Sequence, residues 1–443
     1  MDNIYNYLQN VWQELKADIK NQPLLILLVL TLLTIPLSHN INSVSIGLLT
    51  LFTIITFRKE NFKIEVSLLL PIMLYLLMLV SLIWSIDKNS TISALGKEIP
   101  LLLIPFVFLS VGSFATVQKQ KILKYYSYGI FLFSLFYLIK AVVRFFLSGD
   151  SSVFFYHELV TKDVNAIHVS VYVAIAFFYF FIKTTKTLLD SLIIILLGLM
   201  VLLLSSKNII IVFIGLMACY HLFYSKNSQR LRLKNLILFF VFLFSLTFIG
   251  KVKERFKQEY ETIMTDSSVN DVISKGDAKV YNVSIKQAWT NSRFKPNDYF
   301  PGTAFRVYQF RIFIEMLQED SIFFTGYGLN ASYPKIEAKG IQYNLFLGNG
   351  EQQGYQTKNF HNQYIQNFAE LGIFGLLLLV IMLFLNFKKA LKTKDFMHIS
   401  FAVLMISLFL TESFLWRQRG VLFFTVMYCF FNLKNLEFNL KKD

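Results

Sequence analysis

Cysteine, proline and charge are all sparse in this sequence, and each scarcity removes a class of protein. The two cysteines, Cys219 and Cys429, both lie in apolar runs. No disulfide framework and no cysteine-ligated zinc cluster is therefore available, and both read as small core residues. Only 16% of the 443 residues are Asp, Glu, Lys or Arg, against about 25% in soluble domains. With 8 prolines and 19 glycines, the chain is poor in turn residues, which leaves long continuous helices. The hydrophilic stretches hold no Walker-type phosphate loop, no Asp-x-Asp pair and no His/carboxylate spacing suited to zinc. No metal and no cofactor is expected. No internal repeat is evident. The first twenty residues mix polar and apolar positions, and no small-residue cleavage site follows the first apolar run, so no cleavable signal peptide is expected.

What the sequence does have is apolar length. Hydrophobic residues make up 55% of the chain, 47 of them Phe. Runs such as Leu192–Leu204 and Leu236–Ile249 are almost wholly apolar. Barrel strands would alternate apolar and polar residues, so these runs read as spanning helices, the other way to satisfy a backbone in lipid. A span needs about 20 mostly apolar residues. The runs near 22–38, 42–58, 65–84, 99–116, 126–147, 167–183, 188–204, 207–224, 236–250, 364–386, 398–415 and 419–433 qualify. The expected fold is an all-α integral membrane protein with about twelve transmembrane helices and one large extracytoplasmic loop before the last three. Residues 1–250 form a membrane domain of about nine helices, 251–360 the large loop with amphipathic helices, and 361–443 about three C-terminal membrane helices.

The formal net charge of +15 is a membrane signature rather than a nucleic-acid one, because Lys and Arg collect on cytoplasmic loops. With the N-terminus inside, the short inner loops hold sixteen basic residues, among them Lys59, Lys119, Lys183, Arg230 and Lys389. The short outer loops and adjoining helix ends hold seven: Lys88, Lys97, Arg144, Lys162, Lys207, Arg417 and Arg419. That asymmetry puts both termini inside and the loop outside. Membrane lipids are expected partners, and nucleic acid is not. Within the loop, Thr303–Asp320 reads as an amphipathic helix, and Tyr327–Gly354, rich in Gly, Asn, Tyr and Gln, reads as a polar surface loop.

The sharpest local signal runs from His361-Asn362 through Glu370 and Gly372 to Gly375, where the loop re-enters the membrane. A histidine there suits a general base; the plainer reading is a polar cap with Asn362 as the N-cap. The segment resembles the signature of the O-antigen ligase and Wzy-type polymerase superfamily, close to H-N-x-x-[LI]-x-x-x-x-E-x-G-x-x-G. His361, Asn362, Ile365, Glu370, Gly372 and Gly375 match it. A second resemblance is an Arg followed four residues later by an aromatic, then a helix and a Gly-x-Gly turn. Here that is Arg306, Phe310 and Gly326-Tyr327-Gly328, with Arg311 an alternative to Arg306. A third is Ser205-Ser206-Lys207-Asn208, where the family tends to show Ser-Arg; Lys207 keeps the charge without the guanidinium fork. Glu412, Arg417 and Arg419 cluster near the outer end of the last helix pair, either paired for structure or available to a substrate. His157, Asp163 and His168 read as loop polar groups.

The resemblance implies a metal-independent, inverting glycosyltransferase of the bacterial inner membrane with its site facing the periplasm. It would move a glycan from an undecaprenyl-pyrophosphate donor to a hydroxyl on lipid A-core or another glycan acceptor. His361 would be the base and Arg306, Arg311 and Lys207 would hold the pyrophosphate, while Glu370 and Asn362 would orient the site. A Wzy-type polymerase, with a second lipid-linked glycan as acceptor, and an O-linked protein glycosyltransferase share that chemistry. A lipid-linked sugar transporter fits less well, since neither related halves nor broken helices are evident. Topology is directly checkable: reporter fusions should give an extracytoplasmic signal at Asn282 and a cytoplasmic one at the C-terminus. A cytoplasmic signal at Asn282 would overturn the arrangement.

Overall fold

Local sequence sets most helix starts. Pro23 and Pro100 occupy first helical positions, where a missing N–H costs nothing. Asn165, Asp395 and a Thr187/Asp190 capping box satisfy the first N–H groups of three others. The computed structural model describes residues 2–204, 206–224, 257, 259–263, 265–270, 273–274, 279–349 and 353–436. The expected span 236–250 and Ser205 lie outside these residues.

The described chain is mostly helical with little sheet. The helices are α1 (Asp2–Asn21), α2 (Pro23–Leu33), α3 (His39–Ile55), α4 (Val66–Val80), α5 (Lys88–Glu98), α6 (Pro100–Val111), α7 (Thr116–Ser148), α8 (Tyr156–Leu159), α9 (Ala166–Phe181), α10 (Leu188–Leu203) and α11 (Lys207–Cys219). In the hydrophilic segment follow α12 (Ile285–Thr290), α13 (Gly302–Glu319) and α14 (Tyr333–Gln342), and then α15 (Gln363–Thr393), α16 (Phe396–Phe409) and α17 (Gln418–Asn432). Among the described residues five helices are long and apolar enough to cross a membrane: Val66–Ile83, Lys88–Val111, Thr116–Ser148, Lys207–Tyr224 and Gln363–Thr393. Five shorter apolar helices stand beside them.

Helix α17 is the axis, with every residue from Arg419 to Asn432 buried. Lipid is as apolar as a leucine side chain, so helices in it associate through close packing rather than hydrophobic burial. Phenylalanine supplies that packing here. Ring centroids lie 5.4 Å apart for Phe409–Phe424, 5.5 Å for Phe401–Phe431 and 4.6 Å for Tyr172–Phe423, each such pair being worth about 0.5–1.5 kcal/mol. The two sets of loops meet at opposite ends of the bundle. At one end Lys119 donates to the Leu433 carbonyl at 2.9 Å and Lys434 pairs with Glu65 at 3.4 Å. At the other, Asn208 donates to the Ser407 carbonyl at 2.8 Å and Trp84 to the Thr325 carbonyl at 2.9 Å.

Two stretches differ from the sequence reading. Residues 88–98, read as loop, form α5, started by Asp87 accepting the Ser90 N–H at 3.0 Å. Tyr327–Gly354 is not a surface loop throughout. Tyr327, Leu329, Ile336, Tyr343 and Leu345 are buried, and α14 lies inside it. Apart from Leu345-Phe346-Leu347, its apolar residues stand apart among polar ones, so no long run betrays them. Tyr327, Ile336, Tyr343 and Leu345 join Phe294, Phe300, Tyr308, Phe313 and Phe360 in a second core, which continues into α15 through Ile365 and Ala369, while Leu329 packs in the main core. His168, read as a loop residue, is buried on α9 with its ring 4.3 Å from Phe414.

Helix α15 is broken at Gly372, whose φ of 65° and ψ of −165° are non-helical. The backbone groups freed there pair with the Phe323–Gly328 segment: Tyr327 N–H to the Ala369 carbonyl and Gly328 N–H to the Glu370 carbonyl, both at 2.9 Å, and Ile373 N–H to the Phe323 carbonyl at 2.8 Å. The approach tolerates only glycine. A Cβ on Gly326 would sit 2.3 Å from the Glu370 carbonyl carbon, and one on Gly372 2.2 Å from the Phe324 oxygen. Gly326→Ala should therefore destabilise the protein by at least about 1–3 kcal/mol from backbone strain alone. Gly47→Ala, on α3 with nothing within 4 Å of a new Cβ, should be neutral or slightly stabilising. Thermal unfolding in detergent checks both; equal stability of the Gly326 variant and wild type would contradict the packing.

Candidate active site

His361 stands at the corner between the hydrophilic segment and α15. Its φ of 48° is left-handed, a conformation that costs roughly 1–3 kcal/mol outside glycine and gathers at functional sites. Its N–H is held by the Asn359 side chain at 3.0 Å. Asn362 is the N-cap of α15, its Oδ1 accepting from Tyr364 at 3.0 Å and Ile365 at 3.1 Å, and its amide donates to the Leu410 carbonyl at 3.2 Å. The cap reading of Asn362 thus holds, and the same residue ties α15 to the turn after α16.

That turn carries Glu412. His361 Nδ1 lies 3.5 Å from Glu412 Oε2, at the outer limit of a hydrogen bond, and the side chains are 29% and 7% exposed. Solvent reaches the imidazole, while the carboxylate is buried behind it. Burial alone would push the Glu412 carboxyl up; the bond from His361 and the nearby positive charges, Arg306 among them, outweigh it and hold the carboxyl below the usual range. Phe305 packs edge-on to the His361 ring at 5.7 Å.

Arg306, on α13, reaches the same turn. Its Nε and Nη2 donate to the Thr411 carbonyl at 2.8 and 2.6 Å, and Nη1 to the Gly302 carbonyl at 2.8 Å. Three donors are used and two of the five guanidinium N–H groups remain. Lys207, at the start of α11, pairs with Glu259, which also accepts the Thr303 N–H at 3.2 Å. Burial raises the Glu259 carboxyl, but Lys207 and these hydrogen bonds more than offset it and hold it low. Asn208 beside Lys207 donates to Thr411 Oγ1 at 2.7 Å. One turn, residues 410–413, thus collects His361, Asn362, Arg306 and the Lys207-Asn208 corner.

Glu370 lies deeper. It is buried and accepts from the Gln366 amide and from Ser332 at 3.4 Å. The other end of that amide, Gln366 Oε1, accepts from the Phe360 N–H at 3.4 Å and Ser413 at 3.3 Å. Glu370 therefore braces the residues adjoining His361 and Glu412 without touching either. It shares a cavity of about 20 Å³ with Glu98, whose Oε2 is buried and without a hydrogen-bond partner; that volume holds about one water.

Three candidates stand apart from His361. Arg311 is absorbed in the second core's rim, donating to Glu315 at 3.0 Å, the Asn291 carbonyl at 2.7 Å and the Tyr343 hydroxyl at 2.9 Å. Five residues after Arg306 on one helix, it faces another side. Arg419 is buried and donates to the Leu37 and Asp163 carbonyls, binding two loops to α17. Arg417 is exposed beside Trp416. Sequence reasoning missed Glu259, Gln366 and Asn359. Nothing in a charged helical run marks Glu259 over its neighbours, and Gln366 falls between two motif positions. Among the described residues no group of three His, Cys, Asp or Glu side chains is placed to hold a metal. A wider cleft of about 510 Å³, lined by Gln22, Lys63 and Phe114 among others, opens at the opposite end of the bundle and holds none of the candidates.

A multi-pass helical membrane protein with one polar, cation-rich end is the class these features define. Residues 192–380 match the family model described as O-antigen ligase. The matched segment contains Lys207, Arg306, Arg311, His361, Asn362 and Glu370, while Glu412, Arg417 and Arg419 lie beyond it. A search of the curated proteins found no match.

Proposed function

We propose that this protein transfers a glycan from undecaprenyl pyrophosphate to an acceptor hydroxyl at the periplasmic face of the bacterial inner membrane, with lipid A-core or a similar glycan as acceptor. The family match supports an O-antigen ligase-like activity. The observation that carries the rest is the partly exposed His361 imidazole backed by the buried Glu412 carboxylate, beside an Arg306 that keeps free donors.

With Nδ1–H toward Glu412, Nε2 is the basic nitrogen. It takes the proton of the acceptor hydroxyl as that oxygen attacks the anomeric carbon. The bond from that carbon to the pyrophosphate oxygen breaks in the same displacement, which inverts the configuration. Negative charge grows on the leaving undecaprenyl pyrophosphate, and Arg306, with Lys207 nearby, stabilises it. The activated bond is already in the donor, so no nucleotide is consumed. Glu370 acts as a positioning group through Gln366.

General-base assistance is worth typically 10²–10⁴-fold, and His361→Ala should lower in-vitro transfer from purified undecaprenyl-pyrophosphate glycan by about that factor, with thermal stability little changed. Arg306→Ala should also slow transfer, and Arg306→Lys should restore it only in part, because an ammonium lacks the fork. A folded His361→Ala protein that transfers at the wild-type rate would refute the base assignment.

A further inference from the structure

We propose that Lys97, Trp416 and Arg417 form a second anion site, which holds a phosphate of the acceptor on the α5/α14 side of His361. This rests on the transferase reading above and names the acceptor chemistry for it. The Trp416 ring carries two cations, with Lys97 Nζ 5.4 Å and Arg417 Cζ 5.9 Å from its centroid. The indole is fixed, its N–H donating to Asn330 Oδ1 at 2.8 Å, and Asn330 itself has a left-handed φ of 56°.

Arg417 differs from the other arginines of this end. Arg306 and Arg419 give their guanidinium groups to backbone carbonyls, and Arg311 to a carboxylate and its neighbours. Arg417 is exposed, and among the described residues its guanidinium has no hydrogen bond or ion pair. Lys97 likewise has no ion pair there; the acidic group it feels is Glu98, buried behind it. A third cation stands close, since Lys358 is pushed below the usual lysine range by burial and then by the charge of Arg417. Uncompensated like charges held on one fixed ring are a site for an anion, and a guanidinium with free donors suits phosphate oxygens.

The site is joined to the reacting corner. Tyr333 lies 6.0 Å from the Trp416 ring, and the Trp416 backbone N–H donates to the carbonyl of Ser413, the neighbour of Glu412, at 3.2 Å. Arg306, Lys207 and Glu259 form their own cluster around Gly302 and Thr303. A single displacement needs the nucleophile and the leaving group on opposite faces of the anomeric carbon. With the pyrophosphate on the Arg306 cluster, the acceptor enters past Trp416.

The test uses the full-length protein in detergent with undecaprenyl-pyrophosphate glycan as donor and three acceptors: phosphorylated lipid A-core, the same core after phosphatase treatment, and a second lipid-linked glycan with its own pyrophosphate. Lys97→Ala and Arg417→Ala should each raise the KM for a phosphate-bearing acceptor roughly tenfold or more, leaving the donor KM and the rate at saturating acceptor unchanged. Arg417→Lys should recover part of the loss. Phosphatase-treated core should show the raised KM with wild type and no further loss with the variants. Whichever phosphate-bearing acceptor shows this pattern identifies the source of the phosphate. Unchanged acceptor KM in both variants, as for a mere anchor to phospholipid headgroups, would overturn the site, and so would a raised donor KM. Equal use of treated and untreated core would overturn a core phosphate as the ligand. Failure of wild type to turn over donor with any acceptor is a separate result, which removes the transferase reading and this site with it. Arg417→Gln, at an exposed position, guards against a folding artefact.

Discussion

The interlock between the break in α15 and the Phe323–Gly328 segment is the constraint on which the site depends. A long membrane helix interrupted in its first third would leave unpaired backbone groups at membrane depth, where each costs several kcal/mol. Here they are met by Phe323, Tyr327 and Gly328 across three hydrogen bonds of 2.8–2.9 Å. Gly326 and Gly372 make the approach sterically open. The hydrophilic segment is thereby fixed to the bundle, and with it the angle at which the chain passes through His361 into α15. The two glycine motifs noted in the sequence are the two halves of one joint.

The charges at this end follow a common rule. Each buried one has a partner that offsets its desolvation: Glu412 with His361, Glu259 with Lys207, Arg306 and Arg419 with carbonyl oxygens. Glu98 and its unpartnered oxygen depart from it. His361 is partly exposed and Arg417 is exposed. Lys207 and Glu259 offset each other, and Arg306 beside them leaves this cluster with one net positive charge.

Much of this was legible in the sequence. The apolar runs read as helices because nothing interrupts them, and Asn362 read as a cap because the apolar period begins directly after it. His361, Asn362 and Arg306 were singled out from motif spacing, and the structure brings them to one turn. Other features were not legible. Residues 88–98 carry too much polarity to read as part of a spanning helix, yet they fold as α5 from a good N-cap. Tyr327, Ile336 and Tyr343 pack into the second core without any periodic run. Arg306 and Arg311 are alike in sequence; only their helical phase sends one to Thr411 and the other to Glu315. The break at Gly372 was invisible because a single glycine in an apolar helix is compatible with an unbroken one.

The central claim is that the His361 imidazole acts as the base that takes the acceptor proton. Chemical rescue tests it most directly. His361→Ala opens a space beside Glu412 in which free imidazole replaces the lost ring, and added imidazole should restore glycan transfer in a saturable, pH-dependent way while leaving wild type unaffected. A His361→Ala protein that is folded, binds donor and stays equally slow at every imidazole concentration would contradict it.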